Sequence, residues 1–294
     1  KVVFQVDTKT QTPDVLFGVD VRRDPEESHV ITVCGRELLK KSAAAVRGRL
    51  KWFETLDDFM AFRSAVGRTC SFDVSNDPPT TVLDTPDPKS LPLDSQPIVK
   101  CHQWCMEYGP WPVPPAPAVS MQGQPKTLLI YQRDMNRRLL HLDTFERQLQ
   151  NRLGSSWQVR HMTHSSSTGP CDVVRAVKDA TALVTVHGFQ SLLLHFQPLH
   201  SVFVEIHPVG YLLPDIYGHL AINLRRHFGL PRSYLAVESD AISGTFQSLV
   251  STATKLCFRV SSVCRHLLRN QDVLLEDPNA LNQVSNYILS HFVE

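Results

Sequence analysis

Two short, nearly continuous apolar runs constrain the fold most: Ala182-Leu183-Val184-Thr185-Val186 and Val202-Phe203-Val204-Glu205-Ile206. A strand with one wet face alternates apolar with polar residues; a strand covered on both faces does not. The runs therefore predict a sheet with helices on both sides. Between them, His187-Gly188 reads as a tight turn and residues 191–196 as a helix. Strand, turn, helix and second strand over 182–208 form the half-unit of an α/β domain, where ligands sit beyond the carboxyl ends of the strands.

The same alternation runs through the C-terminal half. Residues 127–132, 157–161 and 233–237 read as strands, and 171–179, 215–228 and 278–292 as helices. Asp143-Thr144-Phe145-Glu146 resembles a capping box opening a helix to about residue 153. Asp277-Pro278 reads as the cap and first position of the last helix. Upstream, residues 2–6, 15–21 and 29–34 are short β-branched runs, while 37–52 and 56–66 carry apolar residues at helical spacing. Twelve of the twenty prolines fall between Asn76 and Pro125, which excludes regular helix there. Three stretches follow: residues 1–75 as a partial α/β layer, 76–125 as a Pro-rich connection, and 126–294 as the second α/β domain.

The 294 residues fit about two domains. A net charge of +1 provides no bulk field for nucleic acid or an anionic membrane. No apolar run approaches the roughly 18 residues of a membrane span. The first residue is Lys1, so a fragment or a trimmed product is expected, and any membrane attachment would use an anchor outside this chain. Seven scattered cysteines do not read as a disulfide framework, although one or two bridges of unassigned pairing are open. Cys101-His102-Gln103-Trp104-Cys105 lacks the second ligand pair of a zinc site, so no metal site is expected.

Three constellations could carry chemistry. At His187-Gly188, Gly permits close backbone approach, and the helix start behind it, with Gln190 and Ser191, offers N–H groups to a diphosphate. The His187 imidazole would donate to a phosphate oxygen. Glu205 lies within an apolar strand, where a carboxylate needs partners. It would accept from two ribose hydroxyls or serve a structural ion pair, with His207 read onto the other face. Arg133, Arg137 and Arg138 follow the strand at 127–132, and guanidinium forks bind phosphate bidentately. The bland alternative for them is a solvated basic turn.

These pieces share their order with a known family. The Arg133-Asp134-Met135-Asn136-Arg137-Arg138 segment, then Val186-His187-Gly188, then Val204-Glu205-Ile206-His207-Pro208, then Phe228-Gly229-Leu230 and Tyr234 resemble glycosyltransferase family 61. That family includes the EGF-domain O-linked and protein O-mannose N-acetylglucosaminyltransferases and plant xylan glycosyltransferases. The resemblance covers about residues 126–237. Phe189-Gln190 stand where the family keeps Ala-Gly, and His141 where it keeps Asn.

The resemblance implies a GT-B-like fold, two Rossmann-like domains facing a cleft. It also implies an inverting hexosyl- or pentosyltransferase moving sugar from a UDP-sugar to a hydroxyl of a glycan or glycoprotein, without a metal cofactor, in the Golgi or endoplasmic reticulum lumen. Arg133, Arg137, Arg138, His187, Gly188, Gln190, Ser191 and Glu205 would then bind the donor. The catalytic base stays open, with Asp20, Asp24, Glu26 and His29 as unranked candidates. The alternative is a catalytically inactive glycosyltransferase-like binding domain.

Overall fold

The computed structural model describes residues 53, 55–72, 121, 125–211, 217, 218, 220, 221, 224, 228, 230, 232–240 and 267–292, together with the backbone pairing of six two-residue strands. Those strands are β1 (Arg22–Arg23), β2 (His29–Val30), β3 (Thr81–Val82), β4 (Ile98–Val99), β5 (Val119–Ser120) and β11 (Phe292–Val293). Strands β1 and β2 pair antiparallel, and β11, β5 and β3 form a small three-stranded sheet. The expected elements at 2–6, 15–21 and 37–52 lie outside the described residues, as do Cys34, Cys101, Cys105, Cys257 and Cys264.

The body is a parallel sheet of β6 (Lys126–Arg133), β7 (Trp157–His164), β8 (Ala182–Val186), β9 (Ser201–His207) and β10 (Arg232–Glu238), bordered by β4. The spatial order is β7-β6-β8-β9-β10-β4, and every neighbouring pair is parallel. The chain steps outward from β6 to β7, then crosses back to the other side of β6 for β8. The α/β class read from the apolar runs is the one found. Strands β8, β9 and β10 are buried at every position.

Alternate strand residues feed two cores. On one face, Leu128, Ile130, Val184, Val204 and Leu235 pack against α2 (Leu142–Leu153) and α4 (Pro278–His291). On the other, Leu129, Tyr131, Leu183 and Phe203 meet α1 (Leu56–Thr69), α3 (Pro170–Lys178) and a 3₁₀ helix, Phe189–Phe196. Helix α1 thus shares a core with the C-terminal strands, through Phe59 and Val66. Arg63 of α1 and Arg232 of β10 both lie over the Phe59 ring and donate to carbonyls at the end of the 3₁₀ helix, including those of His195, Leu194 and Gln197. Cys70, the C-cap of α1, is disulfide-bonded to Cys171 in the first turn of α3.

Local starts and stops follow the side chains. The Thr55 hydroxyl accepts from the Asp58 N–H while Asp58 accepts from the Thr55 N–H, a reciprocal cap on α1. Asp277 accepts from the Asn279 N–H ahead of Pro278, as expected for α4. The capping box expected at Asp143–Glu146 is not used. Helix α2 starts at Leu142 with His141 in the left-handed region (φ 53°) and no side-chain cap. Leu139 is bridged to Val273, and Leu140 N–H donates to the Val273 carbonyl, so the chain arrives pinned and the cap falls at His141, two residues before Asp143. Glu146 instead pairs with His161. Residues 191–196, expected as a helix, belong to a 3₁₀ helix, with Gln190, Ser191 and the two arginines gripping its ends. In the expected helix 215–228, residues 218, 220, 221, 224 and 228 are helical.

Candidate functional site

The strand order places a topological switch between β6 and β8, where chain leaving the two strands diverges to opposite sides. In open α/β sheets that divergence opens the ligand crevice, at the carboxyl ends of the strands. Here those ends are Arg133, leading into residues 134–138, and Val186, leading into His187-Gly188.

The β6 loop folds back on itself. Leu139 N–H donates to the Gln132 side chain at 3.0 Å, and Asp134 N–H extends the ladder to His164. Within the loop Arg137 is buried and has φ +63°, a conformation that costs a non-glycine residue about 1 kcal/mol or more. Its Nη1 donates to the His187 carbonyl at 3.1 Å, joining the two loops of the switch. Arg138 goes elsewhere: its guanidinium and its backbone N–H both bond Asp272, and its side chain is half exposed. Arg133 is partly buried at the strand end, beside His164.

Two side-chain ends crowd the Gly188 Cα, so a larger residue there would have to push one of them aside. A Cβ there would lie 2.6 Å from Gln190 Oε1 and 2.8 Å from Arg137 Nη1. Gln190, whose Nε2 donates to the Val186 carbonyl at 2.6 Å, therefore lies over the turn together with Arg137.

Beneath the turn lies a closed polar cluster. Glu205 is fully buried. Its Oε1 accepts from His187 Nδ1 and from Ser191 Oγ, both at 2.8 Å. Its Oε2 accepts from the Tyr234 hydroxyl at 2.7 Å and lies 3.5 Å from His207 Nε2. Residues two apart on a strand share a face, so His207 lies beside Glu205 and not opposite it. The His187 and His207 rings stack at 4.6 Å, and Tyr211 and Tyr217 flank His187.

Charge follows from these contacts. Burial pushes the Glu205 carboxyl up, but the facing His207 and His187 and their hydrogen bonds outweigh it, so the net shift is downward. Burial pushes the His187 imidazole down to about 4 against the pull of Glu205. The pair is then a carboxylate and a neutral imidazole at neutral pH. Burial, then Glu205, push the Tyr217 phenol up.

Among the described residues two groups place metal-ligand atoms within 4.8 Å of one another: buried His187, Glu205 and His207, and the more open Asp143, Glu146 and His161. In the first, both Glu205 oxygens already hold hydroxyl donors, so a cation would have to displace the His187 hydrogen bond.

Of the residues singled out from sequence, Arg137, His187, Gly188, Gln190, Ser191 and Glu205 form one contiguous cluster. Arg133 stands at its margin and Arg138 is held away by Asp272. Glu205 faces protein donors, not an open surface. The side chains of Asp20, Asp24, Glu26 and His29 lie outside the described residues. Read from sequence, His207 falls on the other face from Glu205, and the tyrosines 211 and 217 are not singled out. The spacing of Glu205 and His207 on one strand was the available signal. The chain matches no protein-family model and no curated protein.

Proposed function

We propose that the chain is an inverting glycosyltransferase that takes a UDP-sugar as donor and a hydroxyl of a glycan or glycoprotein as acceptor. The observation that carries the reading is the junction of Arg137 with the His187-Gly188 turn at the switch between β6 and β8. A buried guanidinium beside a glycine turn is suited to a diphosphate leaving group and can stabilise it without a cation. The order of the surrounding segments, which resembles glycosyltransferase family 61, supplies the class of donor. A second domain of GT-B type, contributing the acceptor side and the base, belongs to the same proposal. So does a lumenal location in the secretory pathway, which the Cys70–Cys171 disulfide favours, since such bonds persist in oxidising compartments.

One observation favours a second reading, a catalytically inactive glycosyltransferase-like binding domain. Gln190 and Arg137 occupy the space directly over Gly188, where a phosphate would approach. A thermal-shift titration with UDP separates the cases. For the enzyme, millimolar UDP raises Tm, by about 3 kcal/mol of linkage at a hundredfold excess over Kd. Arg137→Ala abolishes the shift, and a screen of UDP-sugars shows hydrolysis of at least one. No shift with UDP sinks the donor reading; a shift without turnover of any sugar nucleotide leaves the binding domain.

A further inference from the structure

The polarity of His187 is fixed from below. Glu205 cannot donate to the ring, because its oxygens already accept from the Ser191 and Tyr234 hydroxyls and the carboxyl is held ionised. The 2.8 Å contact between Glu205 Oε1 and His187 Nδ1 therefore carries its proton on the nitrogen. In a neutral imidazole the other nitrogen then has a lone pair and no proton. Among the described residues the ring's side-chain hydrogen bond is the one made by Nδ1, and the ring keeps a small exposed margin of 3%.

We infer that Glu205 is a positioning residue that holds His187 as the Nδ1–H tautomer, so that Nε2 meets a ligand as a hydrogen-bond acceptor. A phosphate oxygen, which also only accepts, is then excluded at that atom, and a ribose hydroxyl of the nucleotide takes its place. This reverses the donor role expected for the ring from sequence and assigns the phosphate contact to Arg137. The hydroxyl assignment rests on the donor reading proposed above; the tautomer does not.

Long-range proton–nitrogen correlation spectra of histidine-labelled full chain test it. The expected result is a neutral His187 ring protonated on Nδ1 and bare on Nε2, unchanged between pH 6 and 8 on the scale of an ordinary histidine pKa, beside a second ring of that form from His195, whose Nδ1 donates to the Leu192 carbonyl. That signal disappears in His187→Asn, whose amide can still donate to Glu205. In Glu205→Gln the side-chain amide can donate to the ring, and the tautomer shifts toward Nε2–H. If that variant does not fold, the wild-type signals that are lost in His187→Asn decide: a protonated Nε2 on that ring overturns the inference. In calorimetry with UDP, His187→Asn is expected to bind up to about tenfold more weakly. The loss shrinks against whichever of 2′-deoxy- or 3′-deoxy-UDP lacks the partner hydroxyl. An equal loss against both analogues overturns the hydroxyl assignment. Absence of any UDP binding defeats the donor reading and the hydroxyl assignment with it, while the spectrum still decides the tautomer.

Discussion

Glu205 concentrates the energetics of the candidate site. It is a single carboxylate, yet it satisfies hydroxyl or imidazole donors from His187, the 3₁₀ helix and β10. Glu205→Ala strands three buried donors at once. The expected loss is about 3–5 kcal/mol, read as a lower urea midpoint at constant m. Tyr234→Phe removes one donor and leaves the carboxylate two others, so it should cost only about 1 kcal/mol. If both variants unfold at the wild-type midpoint, the cluster is not holding the strands together. Arg137 is the complementary case. Its left-handed backbone would be relieved by Arg137→Gly, but the link to the His187 carbonyl would be lost. Stability should change little, within about 1 kcal/mol, while the UDP-induced Tm shift disappears.

At the scale of elements, α1 makes the sharpest prediction. The helix is docked by Phe59 and Val66, by Arg63, and by the Cys70–Cys171 disulfide that spans a sequence separation of 101. A closed loop of that order stabilises by about 4–5 kcal/mol in the chain-entropy description. The Cys70→Ser/Cys171→Ser pair should lose most of this, seen as a lower guanidinium midpoint. Reduction of the wild type should reproduce the loss, and the double variant should not respond to reductant. Elements built on local pattern could be read from sequence. The runs at Ala182–Val186 and Ser201–His207 are apolar because both sheet faces are covered. Pro278 behind Asp277 is a start signal that depends on no distant residue. Features set by distant contacts could not be read. The start of α2 depends on the bridge from Leu139 to Val273, the 3₁₀ helix on arginines from α1 and β10, and the disulfide on two cysteines among seven. The site was legible in part for the same reason. Arg137 and Gly188 announced themselves by residue type, while the partners of Glu205 arrive from three separate elements.

For the whole molecule, pH is the informative variable. Burial pushes His187 to about 4, His200 to about 4 and His195 to about 3, all below the usual histidine range. Each folded-state pKa is depressed, so on acidification the unfolded chain takes up these protons first. Stability is full above the ordinary histidine pKa and is lost as pH falls from about 6.5 toward 4. Lowered Glu205 adds to the same trend at the acid end. Tm should therefore be flat from pH 8 to 7 and drop steeply below 6, as stability falls by about 3 kcal/mol for His187 and about 5 kcal/mol for His195 once each is protonated. His195→Gln should flatten the slope by roughly one proton; an unchanged slope would show that His195 titrates normally.

The pairing of Cys70 with Cys171 also has a consequence for biosynthesis. On a growing chain Cys70 emerges well before its partner, and Cys101 and Cys105 appear in between. Closing the bond requires Cys70 to stay reduced until α3 is made, or to pass through thiol–disulfide exchange if it pairs earlier. Formation of this bond is then expected on the seconds-to-hours scale of disulfide chemistry.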